Sequence, residues 1–322
     1  MQLEIAYPDR LPLVPEAILR QHKVHEPFDT RFRSAARLLQ SLWRERQGIP
    51  MGFYVNGKGR KKPLGSRLSA LASAGGANFL STDIRRLARR EMAYREPGAM
   101  IDEHRVWSNM LSSMPLTFNL IGGLKLNPDL AHQVARTLWP ELVDEICHIQ
   151  FEHSPGRGDL AFTADGTAFD AFLSCRDADG AKTFVAIEVK YSEAMVEPEA
   201  KGRPRYEELS ASCGLYRDPN DPKLRGNPVQ QLWREHMLAQ CLISNRMYDR
   251  GVFVCLAPKL NEPVQRACAQ YNGHLAAGDN LCAFDTLTLE EMLGQIRAAG
   301  AAEFADALHE RYCDFGPVHE LI

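Results

Sequence analysis

Hydrophobic and polar positions change period along the chain, and the change divides it. Apolar and basic residues recur at helical spacing through residues 30–50, TRFRSAARLLQSLWRERQGIP, after a short leader. Residues 51–68, GFYVNGKGRKKPLGSRL in their body, interrupt this with glycines and cations and are expected to form a loop. Residues 102–124 are expected to form one amphipathic helix. Its apolar stripe holds Val106, Trp107, Met110, Leu111 and Met114, with a stop or kink at Pro115 and a break at Gly122-Gly123. A further helix over 127–140 would be capped by Asn127, with Pro128 at its first position. The period then drops to two. Residues 145–152, 168–175 and 182–191 are expected to be strands, the last two joined by the turn segment RDADG. The polar stretch 192–226 is expected to be a mobile or functional loop. A helix from Asn227-Pro228 follows, then strands at 250–258 and 281–289 and a closing helix over 289–300.

The composition is that of an ordinary globular chain: 322 residues, 45% hydrophobic, net charge −3. This excludes disordered, collagen-like and coiled-coil classes. The small net charge hides a split. Residues 1–100 carry 18 Lys+Arg against 9 Asp+Glu, a net +9, and residues 101–322 carry 20 against 32, a net −12. A basic first third on an acidic body points to a polyanionic partner. Its cations gather in two places: Lys58, Arg60, Lys61, Lys62 and Arg67 in the glycine-rich stretch, and Arg85, Arg86, Arg89 and Arg90 on one side of a helix. The eight scattered cysteines form no C-x-x-C pair and read as small buried hydrophobes in a reducing, cytoplasmic setting. No targeting segment is visible, and no apolar run approaches the ~20 residues of a membrane-spanning helix.

The candidate chemistry lies in the period-two region. Along 182–191, Val185, Ile187, Val189 and Tyr191 share one face, while Phe184, Ala186, Glu188 and Lys190 share the other. Glu188 and Lys190 therefore stand side by side in an otherwise apolar strand, which is costly unless they are paired or hold a metal. If the hairpin closes around Ala178-Asp179-Gly180, paired indices sum to about 358, and Asp170 falls opposite Glu188. Two carboxylates about 5 Å apart repel unless a cation lies between them. An all-oxygen set suits Mg²⁺ or Mn²⁺ and poorly suits zinc.

The stretches AFDAFLSC, containing Asp170, and IEVKYSE, containing Glu188, Val189 and Lys190, resemble the PD-(D/E)XK nuclease superfamily. Further segments, NMLSSMPLTFNL, FEHSPGR and NPVQQLWREHMLA, extend the likeness over about residues 60–257, toward a bacterial group of restriction-endonuclease type. The resemblance implies an α+β fold, a restriction-endonuclease-like core with a mixed central sheet flanked by helices. A helical, basic N-terminal region (1–100) would precede a nuclease core (101–322) with an insertion at 192–226. It implies a divalent-metal-dependent nuclease acting on DNA, with duplex as the expected partner and a homodimer as one way to supply two sites. The alternative is a nucleic-acid-binding protein that keeps the fold without activity.

By the same resemblance, Asp170, Glu188 and the Val189 carbonyl would hold the metal. Lys190 would orient the attacking water and stabilise charge on the phosphate. A further acid is expected, and Glu103 and Glu152 both qualify. Gln230, in the first turn of the helix after the motif, is expected near the site. Arg157, after a Pro-Gly turn, is a candidate phosphate contact, and the two basic clusters would grip the backbone without reading sequence.

Overall fold

The computed structural model describes residues 11–55 and 57–322; the first part of the leader and Asn56 lie outside the described residues. The chain opens with α1 (Glu16–Gln21) and α2 (Arg31–Arg46). A hairpin follows, β1 (Met51–Val55) and β2 (Lys61–Leu68), then α3 (Ala70–Gly75), α4 (Thr82–Ala93), α5 (Glu103–Ser108), α6 (Ser113–Lys125) and α7 (Pro128–Leu138). The central sheet begins with β3 (Glu145–His153), β4 (Phe169–Arg176) and β5 (Lys182–Val189). Helices α8 (Pro204–Ser212) and α9 (Gln230–Ser244) lead to β6 (Arg250–Ala257), α10 (Glu262–Asn272) and β7 (Ala283–Thr288). Three helices close the chain: α11 (Leu289–Ala298), α12 (Ala302–Tyr312) and α13 (Gly316–His319).

The five-stranded sheet has the order β3-β4-β5-β6-β7. Its first three strands are antiparallel, and β5, β6 and β7 run parallel, so the sheet is mixed. The two faces of β5 enter different cores. Val185, Ile187, Val189 and Tyr191 join a cluster that runs from Leu11 to Val318, so residues on both sides of position 100 share it. Phe184 and Ala186 join a second cluster built with α8, α9 and α10. There Phe169, Phe172 and Phe184 stack at centroid spacings of 5.8 and 5.5 Å. Each ring fully removed from water contributes roughly 1.5–3 kcal/mol, which fixes which face of β4 and β5 points toward α9.

The β4–β5 register is the one expected. Ala171 pairs with Ile187 and Phe172 with Ala186, each summing to 358. Gly180 takes a φ of 83°, and its N–H closes the turn on the Asp177 carbonyl.

Several elements differ from the expectation. Residues 51–68 are a two-stranded ribbon: the glycines allow close backbone approach at its base instead of making it a loop. A Cβ at Gly52 would strike the Leu68 carbonyl, and one at Gly65 would strike the His22 carbonyl and the Ser41 hydroxyl. Residues 102–124 form two helices, because the Asn109 side chain accepts from the Leu111 N–H and the Ser112 hydroxyl, accepting from the Met114 N–H, caps a new start at Ser113. Pro115 sits harmlessly in that first turn. Gly122-Gly123 does not break α6; Gly123 leaves the room that the Phe304 ring fills. The stretch 192–226 carries α8 and a 3₁₀ turn at Pro222–Arg225, and it buries Tyr206, Leu209, Leu215 and Leu224. Helix α9 begins at Gln230 because Asn227 is engaged elsewhere: its side-chain amide donates to the Glu197 carbonyl and its N–H to Glu199. Two further helices follow α11. No helix among the described residues is long and apolar enough to cross a membrane.

Candidate active site

Three adjacent strands bring three carboxylates to one level of the sheet. The β3–β4 pairs Phe151–Ala171 and His153–Phe169 place Glu152 level with Asp170. The β4–β5 pairs, continued one step beyond Ala171–Ile187, place Asp170 level with Glu188. Glu152, Asp170 and Glu188 line one cavity of about 530 Å³, which also takes in Gln231, Arg234 and Glu235 from the start of α9. On its α8 side the same cavity is lined by Lys201, Arg203 and Tyr206.

The hydrogen bonds at this cavity are specific. The Val189 N–H donates to Asp170 Oδ2 at 2.8 Å, which ties the end of β5 to β4. Lys190 Nζ donates to Glu188 Oε1 at 2.6 Å and to Gln231 Oε1 at 2.8 Å. Gln231 Nε2 donates in turn to Glu188 Oε1 (2.7 Å) and Glu235 Oε1 (2.8 Å). One amide thus holds the lysine with its oxygen and two carboxylates with its nitrogen. Glu235 Oε2 is buried with no hydrogen-bond partner. Behind the strand, Asn261 donates to the carbonyls of Tyr191 and Glu193 (2.9 and 3.0 Å), and Gln40 donates to the Tyr191 hydroxyl (2.9 Å). These contacts fix the chain just after Lys190.

Burial and crowding set the protonation of the acids. Burial, then the charges of Glu188 and Glu152, hold Asp170 well above the usual carboxylate range. Burial and Glu188 do the same to Glu235. Glu152 is pushed up to about 7, by burial first and Glu188 second. Burial alone would lower Lys190, but the carboxylates of Glu188, Glu235, Glu193 and Asp170 outweigh it and keep the ammonium charged. The cavity is thus lined by five acids, Glu152, Asp165, Asp170, Glu188 and Glu235, and the buried Lys190 is bonded to one of them, Glu188.

Glu152 has a backbone cost of its own. Its φ is +48°, in the left-handed region, which for a non-glycine residue costs on the order of 1 kcal/mol. Arg157 braces it by donating to the Glu152 carbonyl at 3.2 Å, and to the carbonyls of Gly98 and Gly166. Glu96 adds to the brace through His153 Nδ1 (2.6 Å), the Ser154 N–H and Arg157.

Other expected site residues lie elsewhere. Glu103 faces a separate cavity of about 870 Å³ and pairs with Arg95 at 3.0 Å. Gln230 grips the backbone of Ala200 through both its amide atoms, and it is the next residue, Gln231, that touches the acids. Arg157 is mostly covered and committed to its carbonyls rather than offered to a phosphate. Arg85 and Arg89 donate to the carbonyls of Gly75 and Ala74 at the end of α3, and Arg86 pairs with Asp83 and Arg90 with Glu91. Arg67 is largely covered and donates to Ser108. Lys58, Arg60, Lys61 and Lys62 are exposed on the ribbon, with Lys62 paired to Glu26. Gln231 and Glu235 were missed; their signal is an i, i+4 polar pair at the start of an otherwise apolar helix.

The donor set at the cavity is all oxygen, its acids repel one another, and one buried carboxylate oxygen is unpartnered. That chemistry fits a hard divalent cation. As the side chains stand, however, no group of three or more His, Cys, Asp or Glu among the described residues is arranged to hold a metal ion. Asp170 is turned to the Val189 N–H, and Glu188 to Lys190 and Gln231.

A family model for the PD-(D/E)XK nuclease superfamily matches residues 27–314. Comparison with curated proteins and with solved structures finds no match.

Proposed function

Because the chain belongs to the PD-(D/E)XK nuclease superfamily, we propose that it is a divalent-metal-dependent nuclease hydrolysing DNA phosphodiester bonds. The observation that carries this reading is the level row Glu152–Asp170–Glu188, with Lys190 bonded to its third member. Asp170 and Glu188, with the Val189 carbonyl, would hold Mg²⁺ or Mn²⁺. When bound, the ion supplies Lewis-acid polarisation and charge neutralisation at the phosphoryl group.

The chain's own residues do the rest. Lys190, kept cationic by the acids around it, sets a positive charge where negative charge grows on the phosphate. Gln231 fixes the lysine and Glu188 relative to one another. Glu152, raised to about 7 without a metal, lies on the row beside Asp170, and its place in the cavity favours it over Glu103 as the further acid. Lys201 lines the cavity with the acids and suits a flanking phosphate, whereas Arg234 is committed to Asp165 and Thr167 and Arg203 to the Ala164 carbonyl. The restriction or defence role rests on the likeness of the motif-flanking segments. Cutting both strands would need two such cavities, which a homodimer would provide.

The test is cleavage of plasmid, single-stranded DNA and RNA by the purified protein with Mg²⁺ or Mn²⁺. Glu188→Ala and Lys190→Ala should each lower cutting by on the order of 10²–10³-fold or more while far-ultraviolet circular dichroism stays unchanged. A wild type that cuts none of the three substrates sinks the reading.

A further inference from the structure

The ribbon formed by β1 and β2 stands apart from the central sheet. Its outer half is exposed on both strands: Phe53, Tyr54 and Val55 are 52, 43 and 45% exposed, opposite Pro63, Lys62 and Lys61. Three large apolar side chains in a row have no folding reason to face water. Phe53 and Val55, two apart, lie on the same face of their strand, with Lys61 and Pro63 as their partners across the ladder. The ribbon's own charge has one sign, although Glu26 from the segment before α2 pairs with Lys62. From Arg46 to Thr82 the chain contains no Asp or Glu, while Lys58, Arg60, Lys61 and Lys62 cluster at the ribbon's end.

The ribbon is also joined to the candidate active site. A groove of about 460 Å³ runs from Tyr54 and Arg67 to Ala194, Val196 and Glu197. The same segment continues to Ala200 and Lys201, which line the acidic cavity. Arg105, 3.8 Å from Glu193, lies between the two, within electrostatic reach of both Arg67 and Glu152.

We infer that this ribbon enters the major groove of duplex DNA lying across the acidic cavity, and that Phe53 and Val55 contact base edges there. The inference rests on the nuclease reading for the placement of the duplex. A two-stranded ribbon is of the size that the B-form major groove admits, whereas the A-form major groove of RNA is too deep and narrow for it. Lys58, Arg60 and Lys61 meet the phosphates at the groove's rim and supply affinity. The apolar pair meets surfaces such as the thymine methyl and supplies preference among sequences.

The experiment is fluorescence anisotropy with duplex DNA, duplex RNA and single-stranded DNA, over a salt series and in EDTA so that no cutting occurs. The triple variant K58S/R60S/K61S should weaken duplex DNA binding tenfold or more. It should also flatten the dependence of log affinity on log salt by up to about 3. Phe53→Ser should leave that slope alone and narrow the spread of affinities over a panel of duplex sequences. All variants are checked by thermal unfolding, and Phe53→Ser, which removes only an exposed ring, keeps the question answerable if the triple variant melts early. An unchanged slope in the triple variant overturns the inference, as does a wild type that binds no duplex or binds duplex RNA or single strands equally well. A wild type that binds duplex DNA through the ribbon but never cuts it would sink the nuclease reading alone.

Discussion

The two charged regions of this molecule are built in opposite ways. The acidic row is sunk in a cavity, Glu188 buried and Glu152 and Asp170 half-buried, locked in strand register and crowded enough to shift its own protonation. The basic ribbon is exposed, carries no acid of its own and stands off the sheet. Burial makes each acid's position exact and its charge expensive, while exposure makes each cation's position loose and its charge cheap. The second arginine cluster shows that basic sequence alone does not place a residue in either class. Arg85 and Arg89 sit on α4 like a phosphate grip, yet they are spent on the carbonyls that end α3.

The contrast can be broken at several levels. The largest effect is expected from Lys190→Ala: loss of cutting by at least two orders of magnitude in a plasmid-nicking assay, with DNA affinity in EDTA changed less than threefold. A parallel loss of affinity would mean that the buried lysine serves binding and not chemistry. Next is acidity. Glu152 has its pKa raised in the fold, to about 7 from 4.5, so between these values the folded state binds more protons than the unfolded one. Glu152 should therefore cost the metal-free protein stability as pH rises through this window, its own share being roughly 3 kcal/mol at most. Glu152→Gln should reduce that slope in urea unfolding at pH 5 and pH 8, leaving the share of Asp170 and Glu235, which are raised too; a slope identical to wild type would show that Glu152 holds no raised proton in the fold.

Gln231→Ala should follow, lowering cutting about tenfold through misplacement of Lys190, with Gln231→Glu no better because it adds charge to a crowded site. Gln230→Ala, one residue away, should act only through the Ala200 segment and cost less. The smallest effect is expected from Arg85→Ala. It should reduce the melting temperature by a few degrees at most and leave the salt slope of DNA binding where it was. A flattened slope would return that helix to the nucleic-acid surface.

Much of the fold's centre was legible in the sequence because strand pairing is arithmetic. The turn at Ala178-Asp179-Gly180 sets the sum of 358, and the alternation along β5 sets which residues share a face. Glu152 and Glu103 were not separable, since the choice depends on which strand lies beside β4 and on where α5 packs. Gln231 was missed in favour of Gln230 because the rotation of α9 about its axis is fixed by Trp233, Met237 and the aromatic stack beneath it, not by its own first turn. The ribbon was hidden for a different reason. Glycine at 52 and 65 reads as loop by propensity, yet each is demanded by backbone and side-chain atoms from elsewhere in the chain. The arginines on α4 were read by charge, whereas their fate was decided by unfilled carbonyls at a neighbouring helix end.

The anchoring of the ribbon has a consequence for how such a protein changes over generations. Its hold on the body is made at Gly65, pressed against the His22 carbonyl and the Ser41 hydroxyl, while Gly52 closes the root on Leu68 and Lys62 adds a pair with Glu26. Substitutions, insertions or shortening between Phe53 and Lys61 leave these contacts and the cores intact. Natural variants should therefore diversify fastest in the outer half of the ribbon while holding small residues at its root, so that what the ribbon touches can drift independently of the acids in the sheet.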